Sequence, residues 1–450
     1  MKKIILAGGT VFTGDDSFIG SVVIDGERIA EVLRGPLNRD LYPDTEYDIT
    51  DCTGRMVLPG AIDEHVHFRD PGLTEKGDMA TESRAAVAGG VTSFFDMPNT
   101  KPQTTTREAW EEKMRRAAEV SVANYAFFPG ATNSNADELL AMNPCAIPGI
   151  KVFMGSSTGD MLVDRNATLS RLFREFRGVI AVHAESEEVI RRNRAMLQKV
   201  HGDEIPLAKH HILRSRRACF EATEKAVRLA METGARLHVM HISTVDELRF
   251  FSPGPVTGKR ITCETCPHYL VFTAESVEAT GGLTKCNPAI KEEVDRQALL
   301  KALRDGLIDV VATDHAPHLR AQKSGNALTA TSGMPSVQFS LPLMLQLAKE
   351  GNFSYETVVQ RMCSAPAQLF GVEERGFLRP GYWADVAVVA PCAPYTVTDD
   401  MVVSRCGWTP YAGKQLEFSV EQTWVNGRCV WCHGEIVPDV HAARPITFNH

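Results

Sequence analysis

The chain has 450 residues, 44% of them hydrophobic, and a formal net charge of −8. That is ample for a large core. The acidic balance, with charges dispersed rather than in runs, argues against a nucleic-acid or anionic-membrane partner.

The start, "MKKIILAGGTVF", is not a secretion signal, because the apolar stretch Ile4 to Ala7 is short and Gly8-Gly9 interrupts it. No run reaches the about 18 apolar residues of a membrane span. Eleven cysteines, an odd count scattered over the chain, fit reduced thiols and a cytoplasmic location. Cys263/Cys266 and Cys429/Cys432 lie in strand-like runs. Residues three apart there face opposite sides, which is poor geometry for one metal.

Residues 1–58 read as short strands and turns, as in "IGSVVIDGERIAEVL". The last stretch, 381–450, reads the same way, with Asn426-Gly427 as a tight-turn signal. These two ends are expected to pair into one small β-sandwich domain. Between them, over 59–380, eight apolar runs alternate with amphipathic segments. The runs are "GAIDEHVH", "VTSFFDMP", "NYAFFPG", "GIKVFM", "GVIAVHAE", "ARLHVMHIS", "RITCETCPHY" and "DVVATDHAP". Helices are expected at Thr81 to Ala88, Arg107 to Glu119, Arg216 to Glu232 and Glu292 to Arg304. The alternation predicts an α/β fold, a (β/α)8 TIM-type barrel. An open doubly wound sheet is the competing fold, and no glycine-rich dinucleotide fingerprint supports it.

Active sites of such barrels sit at the carboxyl ends of the strands. There the sequence places His65 and His67, Lys151, His183, His241 and Asp314. Residues i and i+2 of a strand share a face, so His65 and His67 can grip one ion. A lone strand-end histidine is usually a hydrogen-bonded core residue. Four of them with an aspartate on one rim predict a metal centre. Lys151 cannot ligate as an ammonium. It is either a buried lysine paired to a carboxylate or a carbamate formed with carbon dioxide, whose two oxygens can bridge two ions.

"DEHVHFRDPG", "DMPNT", "GIKVFM", "VHAE", "HIST", "CNPAIK", "ATDHAPH" and "SAPAQLFG" occur in the order found in the amidohydrolase superfamily, and within it the sequence resembles the dihydroorotases. The resemblance covers nearly the whole chain. It implies two zinc ions per subunit, bridged by carboxylated Lys151 and by hydroxide. His65 and His67 would hold the more buried ion, His183 and His241 the second. Asp314 would bind the first ion and act as general acid and base. The implied reaction is reversible hydrolysis of dihydroorotate to N-carbamoyl-aspartate in pyrimidine biosynthesis, by a homo-oligomer, with a dimer expected.

Arg69 would recognise the substrate carboxylate, since its planar fork suits bidentate binding; a surface salt bridge is its plainer reading. The resemblance adds Asn99 and His318 as further carboxylate contacts, and Asn287 as a contact to the ring. Hydantoinases and dihydropyrimidinases share the metal ligands but act on rings without this carboxylate. Allantoinases, in their usual motif, lack the arginine. Such cyclic amidases are the alternative within enzymes. A non-catalytic scaffold would be expected to lose ligands that are all present here. A sugar deacetylase would leave Arg69 and Asn99 without a task. Family members often carry an arginine where this chain has Lys291, which is assigned no role. Asp160 is a nearby carboxylate that can substitute for the Lys151 bridge. The polar segment 319–338 is read either as a mobile lid or as a solvated connector.

Overall fold

The computed structural model describes residues 2–155, 161–163 and 165–449; Asp160 lies outside the described residues. Five strands open the chain: β1 (Lys3–Phe12), β2 (Ser17–Asp25), β3 (Arg28–Arg34), β4 (Tyr47–Asp51) and β5 (Met56–Pro59). Eight follow at β6 (Ala61–Val66), β7 (Val91–Asp96), β8 (Asn124–Phe127), β9 (Gly149–Phe153), β10 (Val179–His183), β11 (Arg236–Val239), β12 (Ile261–Thr265) and β13 (Val310–Val311). Four close it: β14 (Val386–Thr396), β15 (Gln415–Val425), β16 (Arg428–Cys432) and β17 (Glu435–Ile436).

The first and last groups share one sheet, in the order β17-β16-β15-β14-β5-β1-β2-β3, with β4 beside β1. The seam is the antiparallel pairing of β14 with β5, Val386 opposite Pro59. Alternate side chains, among them Leu6, Val22, Val57 and Val386, bury one face of it. The predicted Asn426-Gly427 turn joins β15 to β16. Both residues have positive φ, +47° and +73°, as this two-residue hairpin requires. A Cβ on Gly427 would stand 2.0 Å from the Gly26 carbonyl oxygen, so no other residue fits.

β6 to β13 are parallel and form the barrel. They run as two ladders, β6-β7-β8 and β9 to β13. Single bridges, Gly130 to Lys151 and Val66 to His315, link the ladders into a ring. Each predicted apolar run contains one of these strands, and the four predicted helices form at Met79–Ala88, Arg107–Val120, Arg216–Thr233 and Glu293–Arg304. The first two start at side-chain caps: Asp78 and Thr106 each accept a backbone N–H of the first turn.

Two pieces of the C-terminal chain reach back onto the barrel. Ile446 N donates to the Tyr125 carbonyl at 3.0 Å. This sets Phe448 against Phe95 in an aromatic cluster that also holds Phe128 and Phe370. The connection between β14 and β15 packs against the loop after β13, where Trp408 Nε1 donates to the His318 carbonyl at 2.8 Å. The loop carrying the site is thereby braced from outside the barrel. Among the described residues, no helix is long and apolar enough to cross a membrane.

Candidate metal centre and substrate cavity

All ten residues singled out in the sequence line one cavity of about 580 Å³ at the carboxyl ends of the barrel strands. His65 is in β6 and His67 just beyond it, where its N–H donates to the His315 carbonyl at 2.7 Å. Lys151 is in β9 and His183 ends β10. His241 and Asp314 follow β11 and β13. Three of the non-glycine residues with left-handed backbone are Arg69, His241 and Asp314, at φ +67°, +44° and +46°. Such strain persists only where surrounding structure enforces it, and it concentrates at functional sites.

The imidazoles are oriented by acceptors behind them. His65 Nδ1 is 2.6 Å from Glu264 Oε1, and His67 Nδ1 is 2.7 Å from the Asn99 amide oxygen. These oxygens only accept, so each Nδ1 carries the proton and each Nε2 offers a lone pair. Both Nε2 atoms face Asp314 Oδ1, at 3.4 and 3.0 Å. His183 uses the opposite edge: Nε2 donates to Glu185 Oε2 at 3.0 Å, which leaves Nδ1 to face His241 Nε2 at 2.8 Å. Glu185 is in turn clamped by Arg214. Ligand atoms at about 2.0–2.2 Å from a zinc-sized ion lie roughly 3.0–3.5 Å apart, so the donor set fits a divalent metal.

Electrostatics agree. Burial holds His183 and His241 below the ordinary histidine range and His67 down at about 4, so their rings are neutral, as ligands must be. Asp314 Oδ1 faces the lone-pair edges of both His65 and His67, so the three groups converge on one point. Beneath them Glu264 also faces His238, which lies between Glu64 at 3.1 Å and Glu264 Oε2 at 3.5 Å. Burial opposes its charge, yet the two carboxylates raise it to about 9.

Lys151 has no accessible surface. Its Nζ contacts Met240 Sδ and lies 5.0 Å from the Phe153 ring centre. Among the described residues no carboxylate is within ion-pair distance of it. Burial pushes the amine down to about 8.

Arg69 is only 6% exposed, so it is not a surface salt bridge. Nε donates to the Pro317 carbonyl at 3.1 Å and Nη2 lies 3.1 Å from His318 Nε2. No carboxylate among the described residues pairs with it, and burial pushes it down to about 10, still cationic. His318 Nδ1 is buried without a partner. The Asn99 amide oxygen serves His67, which leaves its NH₂ to donate to a ligand. Asn287 Oδ1 lies 3.1 Å from His210 Nε2. Lys291 is buried outside the cavity, with Nζ donating to the Ala289 carbonyl at 2.6 Å.

Within the segment 319–338, Leu319, Arg320 and Ala321 are exposed, while Lys323 and Gly333 to Val337 are buried. The Lys323 ammonium, 2% exposed, donates to the carbonyls of Lys285, Thr331 and Gly333. That folds Thr331, Ser332 and Gly333 over the cavity. Sequence reasoning missed Glu264, Glu185, Arg214 and His210. Glu185 carried a signal, since it sits two residues from His183 on the same strand path. Glu264 lies between two thiols in a strand with no pattern that marks it, and His210 and Arg214 come from the short helix His210–Leu213 and the residue that caps it.

Comparison with known proteins gives the same architecture. A dihydroorotase of Halobacterium salinarum is 35% identical over 416 residues, covering 92% of this chain and 94% of that protein. An allantoinase of Bacillus velezensis is 33% identical over 392 residues, covering 86% of each chain. The structure of the L-hydantoinase (dihydropyrimidinase) from Arthrobacter aurescens superposes with a TM-score of 0.92 at 26% identity, covering 99% of this chain and all of that one. Residues 56–430 match the amidohydrolase family. With that match running from β5 through the whole barrel and into β16, the chain belongs to the amidohydrolase family.

Proposed function

We propose that the protein catalyses the reversible hydrolysis of dihydroorotate to N-carbamoyl-aspartate, the ring-closing direction serving pyrimidine synthesis. Relatives named dihydroorotase and allantoinase are almost equally similar, so identity does not choose between them. The observation that carries the reading is Arg69: a buried guanidinium, unpaired, opening onto the same cavity as the histidines. A buried cation without a partner is costly, and a ligand carboxylate supplies the partner. Allantoin, hydantoin and dihydrouracil rings offer none.

His65, His67 and Asp314 would hold one divalent ion and His183 and His241 a second, with zinc the expected metal. A neutral Lys151 amine would add carbon dioxide and lose a proton, and the resulting carbamate would supply oxygen ligands to the metal centre. The bound ions supply Lewis acidity and a water of lowered pKa. Arg69 holds the substrate carboxylate, with His318 beside it, and fixes the ring against Asp314. Asp314 accepts a proton from the attacking water and delivers it to the ring nitrogen as the C–N bond breaks. Glu264, Asn99 and Glu185 keep the imidazoles aimed while this happens. In the reverse direction the same residues expel water.

The test is ring opening by the zinc-supplied protein on dihydroorotate, allantoin and dihydrouracil. Dihydroorotate is expected to be the preferred substrate by one or more orders of magnitude. Preferred turnover of allantoin or dihydrouracil would overturn the reading.

A further inference from the structure

Two cysteines of the terminal sheet lie closer together than their spacing suggests. Residues three apart on a regular strand face opposite sides, but β16 is not regular. Gln422 pairs with Cys432, Thr423 with Trp431 and Trp424 with Cys429. Val430 is left without a partner, so β16 carries one extra residue, a β-bulge. Gln422 and Trp424 are two apart on β15 and share a face; Trp424 Nε1 donates to Gln422 Oε1 at 3.1 Å on that face. Cys432 and Cys429, opposite them, therefore share it too. Val430 and Trp431 both turn to the other side, where they are buried in the large core.

The two thiols meet. Cys429 Sγ donates to the Trp431 carbonyl at 3.2 Å, and the Cys432 thiol is in hydrogen-bond contact with Cys429. A two-residue step on β15 sets their Cα atoms about 6.7 Å apart, inside the range of about 4.4–6.8 Å that disulfides span. Both residues are part-exposed, and neither lines the cavity. Among the described residues no histidine or carboxylate completes a metal site with them. The other C-x-x-C pair differs. Cys263 and Cys266 are fully buried, and their thiols turn to the Leu307 carbonyl and to Glu264.

We infer that Cys429 and Cys432 form a reversible dithiol–disulfide pair, a modification site separate from the reaction centre. The oxidant is a small disulfide of the glutathione type. The Cys432 thiolate attacks one of its sulfurs, which forms a mixed disulfide and releases one small thiolate. Cys429 then attacks the Cys432 sulfur, which closes the Cys429–Cys432 bond and releases the second. Two electrons pass from the protein to the oxidant, and the two protons lost by the cysteines end on the two released thiolates. Cys432 goes first because burial and the neighbouring Cys432 push the Cys429 thiol up to about 12, and the thiolate is the attacking form. Once Cys432 is in the mixed disulfide, its charge no longer opposes ionisation of Cys429. A dithiol reductant reverses the sequence.

The experiment incubates the native full chain with oxidised glutathione, quenches it in acid, alkylates free thiols under denaturing conditions and weighs the tryptic peptides. Trypsin cuts after Arg428, so one peptide carries both cysteines. That peptide should appear unalkylated and lighter by two hydrogens, and dithiothreitol should restore both alkylation sites. Cys263 and Cys266 should stay fully alkylated. Cys429→Ser should keep glutathione on Cys432 as a stable mixed disulfide, because the resolving thiol is gone. Cys432→Ser should leave Cys429 free. Alkylation of both cysteines in the oxidised wild type would overturn the pair. So would glutathione retained on wild-type Cys432 at the level seen in Cys429→Ser. Equal loss of alkylation at Cys263 and Cys266 would overturn it as well, since the bulge would not be what selects the pair.

Discussion

Replacing Arg69 with Met should separate binding from stability. In the structure the guanidinium is buried and makes only one clear hydrogen bond, to the Pro317 carbonyl. A substrate carboxylate would take two charge-assisted bonds from the fork, at about 1.5–3 kcal/mol each. Losing both is worth about 3–6 kcal/mol, or roughly 10² to 10⁴ in kcat/KM for dihydroorotate. The ligand-free protein should respond in the opposite sense. Burial lowers the guanidinium to about 10, a destabilisation of about 3 kcal/mol at 1.36 kcal/mol per pH unit. Met fills similar space without that cost, so Arg69→Met should unfold at higher denaturant while turning over far less dihydroorotate. Activity on dihydrouracil, which has no carboxylate, should change little. Steady-state kinetics on both rings and an equilibrium denaturation curve measure the three quantities. Dihydroorotate turnover within ten-fold of wild type would refute the assignment of Arg69.

Three further outcomes follow from the same geometry. Asp314→Asn should lose about 10² to 10⁴ in turnover while metal content stays largely intact, since Oδ1 is kept; near-normal turnover would remove its proton role. Glu264→Gln weakens the hold on His65 and should lower metal affinity by about 10- to 100-fold in a chelator competition; unchanged affinity would show that Glu264 does not set that ring. Lys323 bears on pH. Burial lowers it to about 7 in the fold, while the unfolded chain protonates it at an ordinary lysine value near 10.4. Between those values the unfolded state binds more protons, so stability rises with pH across that window. The stability of wild type relative to Lys323→Met should climb by about 3–4 kcal/mol from pH 7 to 10; a flat difference would show that burial does not lower Lys323 in the fold.

Most of the barrel was legible because its strands are buried on both faces and read as short apolar runs, each ending near a chemical group. The eighth, "DVVATDHAP", shrinks to Val310–Val311 because the chain leaves the ladder early to present Asp314 in a left-handed conformation. The candidate metal ligands were legible as a set, because four histidines and an aspartate on one rim form a pattern that a lone strand-end histidine does not. Their supports were not. Glu264 reaches His65 across 199 residues, and nothing local in "CETC" marks it. Asn99 lies 32 residues from His67, and only the fold shows that its amide oxygen faces the ring. The Lys323 hub draws on three carbonyls, which have no side-chain signature. Phe448 enters the barrel cluster through nonlocal pairing that periodicity cannot reveal.

Metal analysis of protein purified without chelators and resupplied with zinc tests most directly whether these donors converge on cations. About two ions per chain are expected, with loss of one or both when His65 or His183 is replaced by Ala. A protein that binds no divalent ion under those conditions would contradict the account.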